Sequence, residues 1–288
     1  MRQGIIRIPA QKAVVYIALF FLALPVCWVI WFMIQGALMP LDELNATIGP
    51  ALTGSDGAAT WTLLPSWPTL QPLAQLLLDT PQFFVMFWNS MKIALPVVLM
   101  QFAIGAPAAW ALSRMRFRGR KVLFTLYICL MLMPFQVTMV PNFLVMDSLG
   151  LLDKLWSVIL PYAFSAFPVF IMVKGFDAVP RAMLEAAAID GAGYWRTFAS
   201  IGLPLGLPGI LAALLLGFLE CWSTIEQPIV FLRDPANWPL SLYLPQIVSD
   251  KLGLAMSASL LMLAPAALVF LIGQKYLELG IQAEGLKE

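Results

Sequence analysis

Long apolar runs separated by short clusters of charge set the pattern of this chain. Six apolar stretches contain no Asp, Glu, Lys or Arg: Ala13 to Leu41, Ile93 to Ser113, Val122 to Met146, Leu155 to Val173, Thr197 to Leu219 and Leu252 to Gln274. The shortest has 19 residues, and ~20 residues of helix cross the hydrocarbon core of a bilayer. Inside hydrocarbon every backbone N–H and C=O must be satisfied within its own segment, which makes such runs helices. The pattern predicts an all-α polytopic membrane protein of six transmembrane helices: residues 1–12 lead in, the membrane domain occupies 13–276, and 277–288 form a tail. The apolar run Pro81 to Met91 adjoins the second stretch across Lys92, so that span can begin early. Composition agrees, with 61% hydrophobic and 11% charged residues against roughly 25% charged in a soluble domain.

Charge then orients the chain, because Lys and Arg beside a span tend to stay on the cytoplasmic side. With both termini inside, the inner segments carry Arg2, Arg7 and Lys12; Arg114, Arg116, Arg118, Arg120 and Lys121; Lys174, Arg181 and Arg196; and Lys275 and Lys287. Only Lys92, Lys154, Arg233 and Lys251 remain outside. This bias requires an even number of spans and a cytoplasmic loop over residues 176–204. The basic run RMRFRGRK is a topology signal; with a net charge of +1, nucleic acid is not an expected partner. The first span is too long for a signal-peptide core and is expected to stay as an anchor.

The external segment over residues 36–86 is rich in turn formers and aromatics, with Gly54 to Gly57 as its expected tip. It either contacts a solute-delivering protein or packs on the outer ends of the spans. Asn142 to Lys154 reads as a short interfacial helix. Cys27, Cys129 and Cys221 are expected to be buried small hydrophobes, being odd in number and without a CxxC pair. The chain has no histidine, so imidazole metal and acid–base sites are excluded. No metal site, cofactor or catalytic residue is expected, and without a G-x-x-x-x-G-K-[ST] loop there is no cradle for ATP phosphates.

The cytoplasmic loop carries the most specific pattern, EAAAIDGAGYWRTFASIGLPL from Glu185 to Leu205. Pro180 suits a helix start, Arg181 to Asp190 are mostly good helix formers, and Gly191 and Gly193 supply the permissive backbone that ends the helix. Small side chains let this thin helix enter a groove on a partner, where Glu185 and Asp190 offer charge-assisted hydrogen bonds. A second arm, Tyr194 to Phe198, lies against the membrane surface through its aromatics. Glu185, Ala186, Ala187, Gly191, Ile201, Leu203 and Pro204 match every fixed position of the EAA signature. The loop thus resembles the coupling loop of binding-protein-dependent ABC importer permeases.

The run RFRGRKVLFTLYICLMLMPFQVTMVPNFLVMDSLGLLDKLWSVILPY and the tail QKYLELGIQAEGLKE are similar to the carbohydrate branch of that family, the maltose-transporter type, from about Ala13 onward. The resemblance implies a MetI-like, type I importer fold in a bacterial inner membrane. It also implies a second, different permease subunit, two cytoplasmic ATPase subunits on the EAA loops and an external binding protein. The chain would be a sugar-translocating subunit and not itself an enzyme. Rival readings are the same architecture for a non-sugar solute such as glycerol phosphate, a stand-alone secondary transporter, and a non-transport scaffold.

Within the fifth stretch Gly209, Ala213 and Gly217 form a small-residue stripe, either for packing within the bundle or as a seam with the second permease. Glu220, at the end of that stripe, is costly at membrane depth unless it meets a wet cavity or a partner. With Trp222, Ser223, Thr224, Glu226 and Gln227 it makes a polar, aromatic patch suited to sugar hydroxyls and ring faces, or else an interfacial anchor. Asn89 and Lys92 are further candidates for the path. Trp222 to Thr224 read W-S-T where many relatives read W-N-D, so solute contacts are not carried over from the family.

Overall fold

The computed structural model describes residues 10–52, 60, 62, 64–244 and 252–285; among these there is helix and turn but no strand. The expected loop tip Gly54 to Gly57 lies outside the described residues. The chain divides into two compact units, residues 1–81 with 244–261, and 82–243 with 262–288.

In the first unit α1 (Ala10–Ala37) is apolar on all sides, and Phe20, Phe21 and Leu22 are exposed, as suits a helix whose solvent is lipid. α2 (Leu41–Leu52) and α3 (Gln71–Leu78) belong to the segment that follows. Asp42 and Glu43 in the first turn of α2 complement the positive end of the helix dipole. The Glu43 carboxylate accepts the Ser66 backbone N–H and hydroxyl at 2.9 Å each. Thr69 N–H donates to the Leu38 carbonyl at 2.8 Å and Gln35 Nε2 to Thr62 Oγ1 at 3.1 Å. The segment therefore folds back on the end of α1.

In the second unit α4 (Pro81–Met100), a π turn (Gln101–Gly105) and α5 (Ala106–Arg114) make one 34-residue apolar helix. It starts at Pro81, ahead of Ile93, because Lys92 interrupts the apolar run without breaking a helix; a long cationic side chain keeps its head in water. Between α6 (Arg120–Met131) and α7 (Phe135–Ser148) the chain bends by 104°, so the third stretch is not one straight span. Pro134 excludes helical backbone from the residue before it, and its own ψ of 151° is extended. α8 (Trp156–Ala163) and α9 (Ala166–Asp177) form the next span, interrupted at Phe164 and Ser165.

The remaining elements are α10 (Arg181–Ile189), α11 (Tyr194–Thr197), a second π turn (Phe198–Gly202), α12 (Leu203–Ser223) and α13 (Glu226–Phe231), while α14 (Leu252–Gly285) closes the chain. Among the described residues five helices are long and apolar enough to cross a membrane, and six if the bent α6–α7 pair counts as one span. Both π turns end on the glycine of the same local string, I-G-x-P, at Ile104 to Pro107 and Ile201 to Pro204. A proline has no N–H and crowds the carbonyl four residues back; here those residues, Ala103 and Ser200, lie inside the widened turns.

α9 is the centre of packing, against α12, α5 and α6. A Cβ on Gly209 would lie 2.5 Å from the Cα of Gly175, so α9 and α12 meet backbone to backbone. Ala213 is fully buried and Gly217 faces the Gln101 amide. The small-residue stripe is thus spent on packing within this chain. Trp110, Phe176 and Phe198 pack together below it, with ring centroids 5.3 to 6.1 Å apart. Of the cysteines only Cys221 is buried; Cys27 and Cys129 sit on exposed faces, apolar enough to be stable against lipid.

Asn142 to Lys154 is not an interfacial helix of its own. Its first half is the end of α7, and the rest is a turn with positive φ at Gly150 and Asp153. Asp153 Oδ1 accepts the backbone N–H groups of Arg233 and Asp234, both at 2.9 Å, while Asn237 Nδ2 donates to the Asp153 carbonyl. The hydrogen bond from the Asp234 backbone, ahead of that from Arg233, holds the Asp153 carboxyl below its usual 3.8. A depressed carboxyl contributes stability that is complete above its unfolded value and lost as pH falls through the folded one. Thermal unfolding in detergent should therefore lose Tm below about pH 3.8 by a larger margin in the native chain than in Asp153→Ala. Equal slopes in the two chains would remove this role from Asp153.

Candidate functional site

The loop that carries the signature is built around one helix, α10, and its termini. Pro180, with ψ of 133°, stands just before α10 and so directs the chain into it from extended backbone. At the other end Gly191 has φ of 73°. Its N–H donates to the Ala188 carbonyl at 3.1 Å, and Ala192 N–H reaches back to Ala187 at 2.9 Å. This pair of bonds is the Schellman arrangement that satisfies the last carbonyls of a helix, and it needs a left-handed residue at the Gly191 position. The fixed glycine of the signature is thereby explained by backbone geometry, since a Cβ there would meet nothing within 4 Å.

Glu185, Ala186 and Asp190 are exposed, whereas Ala187 is buried toward the spans. The same loop exposes large apolar side chains: Met183, Ile189 at 87%, and Tyr194 and Trp195 at 74% each. The distal part of the signature does different work. Ile201 lies in the second π turn, Leu203 packs against the Trp110 cluster, and Pro204 opens α12. A Cβ on Gly202 would come within 2.7 Å of the Trp110 ring, so glycine lets this arm close on the core. The exposed half of the loop thus offers a surface, and the I-x-L-P half fastens that surface to the bundle.

Sequence reasoning missed what holds the base of the loop. Arg114 at the end of α5 donates through Nε to the Phe176 carbonyl at 3.1 Å and through its terminal nitrogen to the carbonyls of Phe176 and Val179. Ser113 donates its hydroxyl to Asp177 at 2.5 Å, and Arg120 donates to the carbonyls of Leu112 and Ser113 at 2.5 and 2.7 Å. Two arginines of the basic run are therefore caps of helix C-termini, where cations are favourable. The available signal was their position just after an apolar run. A cavity of about 390 Å³ lies between this base and the loop, lined by Trp110, Arg114, Leu184, Ala188, Gly191 and Tyr194.

The candidates for the solute path separate into two groups. Glu220, Ser223 and Glu226 are exposed; the Glu226 carboxylate accepts from Gln136 Nε2 at 3.3 Å. Thr224 is half-buried and takes the Tyr162 hydroxyl at 2.7 Å. Trp222 is buried, stacked on Phe218 with centroids 5.7 Å apart, and its indole N–H donates to the Met262 carbonyl. Asn89 is buried too, donating to the carbonyls of Ala236 at 2.7 Å and Trp238 at 3.2 Å. Gln227 donates to Ser157 O at 3.2 Å. Trp222, Asn89 and Gln227 therefore hold neighbouring segments of the bundle together through backbone carbonyls.

Among the described residues the chain is a multi-span bundle of helices with the exposed, glycine-ended α10 between two spans. Residues 101–282, more than half of the chain, match the family described as "Binding-protein-dependent transport system inner membrane component", and the chain belongs to that family. It is 40% identical over 146 residues to the polygalacturonan/rhamnogalacturonan transport system permease protein YtcP of Bacillus subtilis, covering 51% of this chain and 50% of that one. It is 27% identical to the arabinooligosaccharides transport system permease protein AraQ of the same organism, over 94% of this chain and 95% of the relative. A crystal structure of a bacterial ABC transporter involved in the import of the acidic polysaccharide alginate has the same fold, with a TM-score of 0.77 at 22% identity over 96% of this chain and 99% of that one. The MetI-like expectation and the importer resemblance are borne out.

Proposed function

We propose that this chain carries a carbohydrate across the inner membrane as one half of a permease pair, driven by ATPase subunits that grip α10. The observation that carries the reading is the exposed surface of α10, which presents Glu185, Met183 and Ile189 to solvent on a glycine-ended helix. A surface that offers both a carboxylate and exposed apolar side chains suits a groove that has both a basic residue and an apolar floor. Both termini lie in the cytoplasm, a topology supported by the thirteen basic residues assigned to that side among seventeen in all. ATP hydrolysis belongs to the partners, and closure of their dimer moves α10 and with it the spans. A different second permease and an external binding protein complete the assembly in this reading, and the binding-protein-dependent description of the family supports the latter.

Glu220, Ser223, Thr224 and Glu226 border the solute path in this reading, with Asn89 and Trp222 holding its frame. The test is co-purification with the cognate ATPase, followed by ATP-dependent uptake of an oligosaccharide into proteoliposomes. Glu220→Leu should cut uptake by about tenfold or more, whereas Glu220→Gln, which keeps the hydrogen bonding, should retain part of it. Equal, near-native uptake in both variants would make Glu220 an interfacial anchor, and failure to capture an ATPase would remove the importer reading altogether.

A further inference from the structure

On its N-terminal side α10 is joined to the bundle through three residues, Ala178 to Pro180, and the carbonyl of one of them, Val179, is held by Arg114. The same guanidinium takes the Phe176 carbonyl in the last turn of α9. Arg114 is the last residue of α5, so one side chain ties the end of the second span to the end of the fourth at the point where the coupling helix begins. Ser113 reinforces the joint through Asp177, and Arg120 at the start of α6 holds the carbonyls of Leu112 and Ser113 behind it. A guanidinium is a planar fork that fixes two acceptors at once; an ammonium of similar reach is a single point charge. Without the fork, the linker into α10 stays joined to α9 through the chain but loses its tie to α5, and a pull on that side of α10 would move α9 ahead of α5.

We propose that Arg114 is a positioning residue that makes the second and fourth spans move together when the coupling helix moves; this rests on the importer reading above. A helix cap that only supported folding would change how much complex assembles. A strut changes how much solute is moved for each ATP spent. The test uses the whole importer in proteoliposomes, with uptake and hydrolysis measured in the same vesicles. Arg114→Gln should leave complex yield and basal hydrolysis within about twofold of native and lower solute moved per ATP by about tenfold. Arg114→Lys should fall between the two, and Arg118→Gln, an exposed neighbour in the basic run, should not change the ratio. An unchanged ratio in Arg114→Gln overturns the proposal. So does a loss of yield in both Arg114 variants with a native ratio in the complex that remains, which reduces Arg114 to a folding cap. If the unsubstituted chain neither captures the ATPase nor needs ATP for uptake, the importer reading itself falls and this inference with it.

Discussion

Gly209→Leu is expected to abolish recovery of folded chain from the membrane. The added Cβ would stand 2.5 Å from Gly175 Cα, and no rotamer relieves a clash made by the Cβ itself. The obstacle is backbone, so α9 and α12 would have to part along the line that buries Phe176, Ile210 and Ala213. Overpacking of a core costs ~1–3 kcal/mol when side chains can shift, and more when they cannot. Helices in lipid gain their association mainly from close packing, with no hydrophobic drive to compensate. Size-exclusion yield after solubilisation measures this directly: Gly209→Ala should be reduced and Gly209→Leu absent. A normal monodisperse peak for the leucine variant would show that the two backbones do not touch. Gly191→Ala gives the contrast, since its space is open and only the left-handed backbone is penalised, by ~1 kcal/mol.

Charge reversal at Glu185 is expected to have the opposite signature, an intact chain that no longer works. Glu185 is exposed on α10 and supports no core contact, and surface changes of that kind usually shift stability by less than ~0.5 kcal/mol. In a groove, a lysine would set like charge against the basic group that the carboxylate meets, which costs on the order of several kcal/mol. Glu185→Lys should therefore insert and purify normally yet lose ATPase capture and solute-stimulated hydrolysis. Glu185→Gln should keep part of both. Native uptake by the lysine variant with its own partners would remove α10 from the role of coupling element.

Much of this was readable from the amino-acid string because hydrocarbon leaves few alternatives. A run of uncharged apolar residues must be helical, and a charged, glycine-ended insert between two of them must lie outside the bilayer. The stripe of Gly209, Ala213 and Gly217 was visible as well, although its partner Gly175 was not, since pairing two glycines on different spans needs the tertiary arrangement. Trp222 and Asn89 looked like path residues because a polar group on an apolar helix is ambiguous until its acceptor is known. The carbonyls of Met262 and of Ala236 and Trp238 lie far away in sequence. The break before Phe135 was signalled by Pro134, but proline also occurs inside helices that continue, as Pro96 and Pro208 do within α4 and α12. The capping roles of Arg114 and Arg120 were hidden by a simpler explanation of the same charges.

The two π turns have a consequence for how this chain tolerates insertions and deletions. Each turn holds one residue more than an α-helix needs over the same length, and each residue of an α-helix turns it by ~100°. Removing a single residue from Phe198–Gly202 would close the helix into continuous α-structure with Tyr194 and Trp195 kept on nearly the same side of the α12 axis, because the widened turn winds each residue by less than the α-helical step and so absorbs the extra one. Removing a residue from the regular part of α12 has no such slack and would rotate one side of the cut against the other by ~100°. The π turns are thus the places where a one-residue change of length leaves the flanking faces in register.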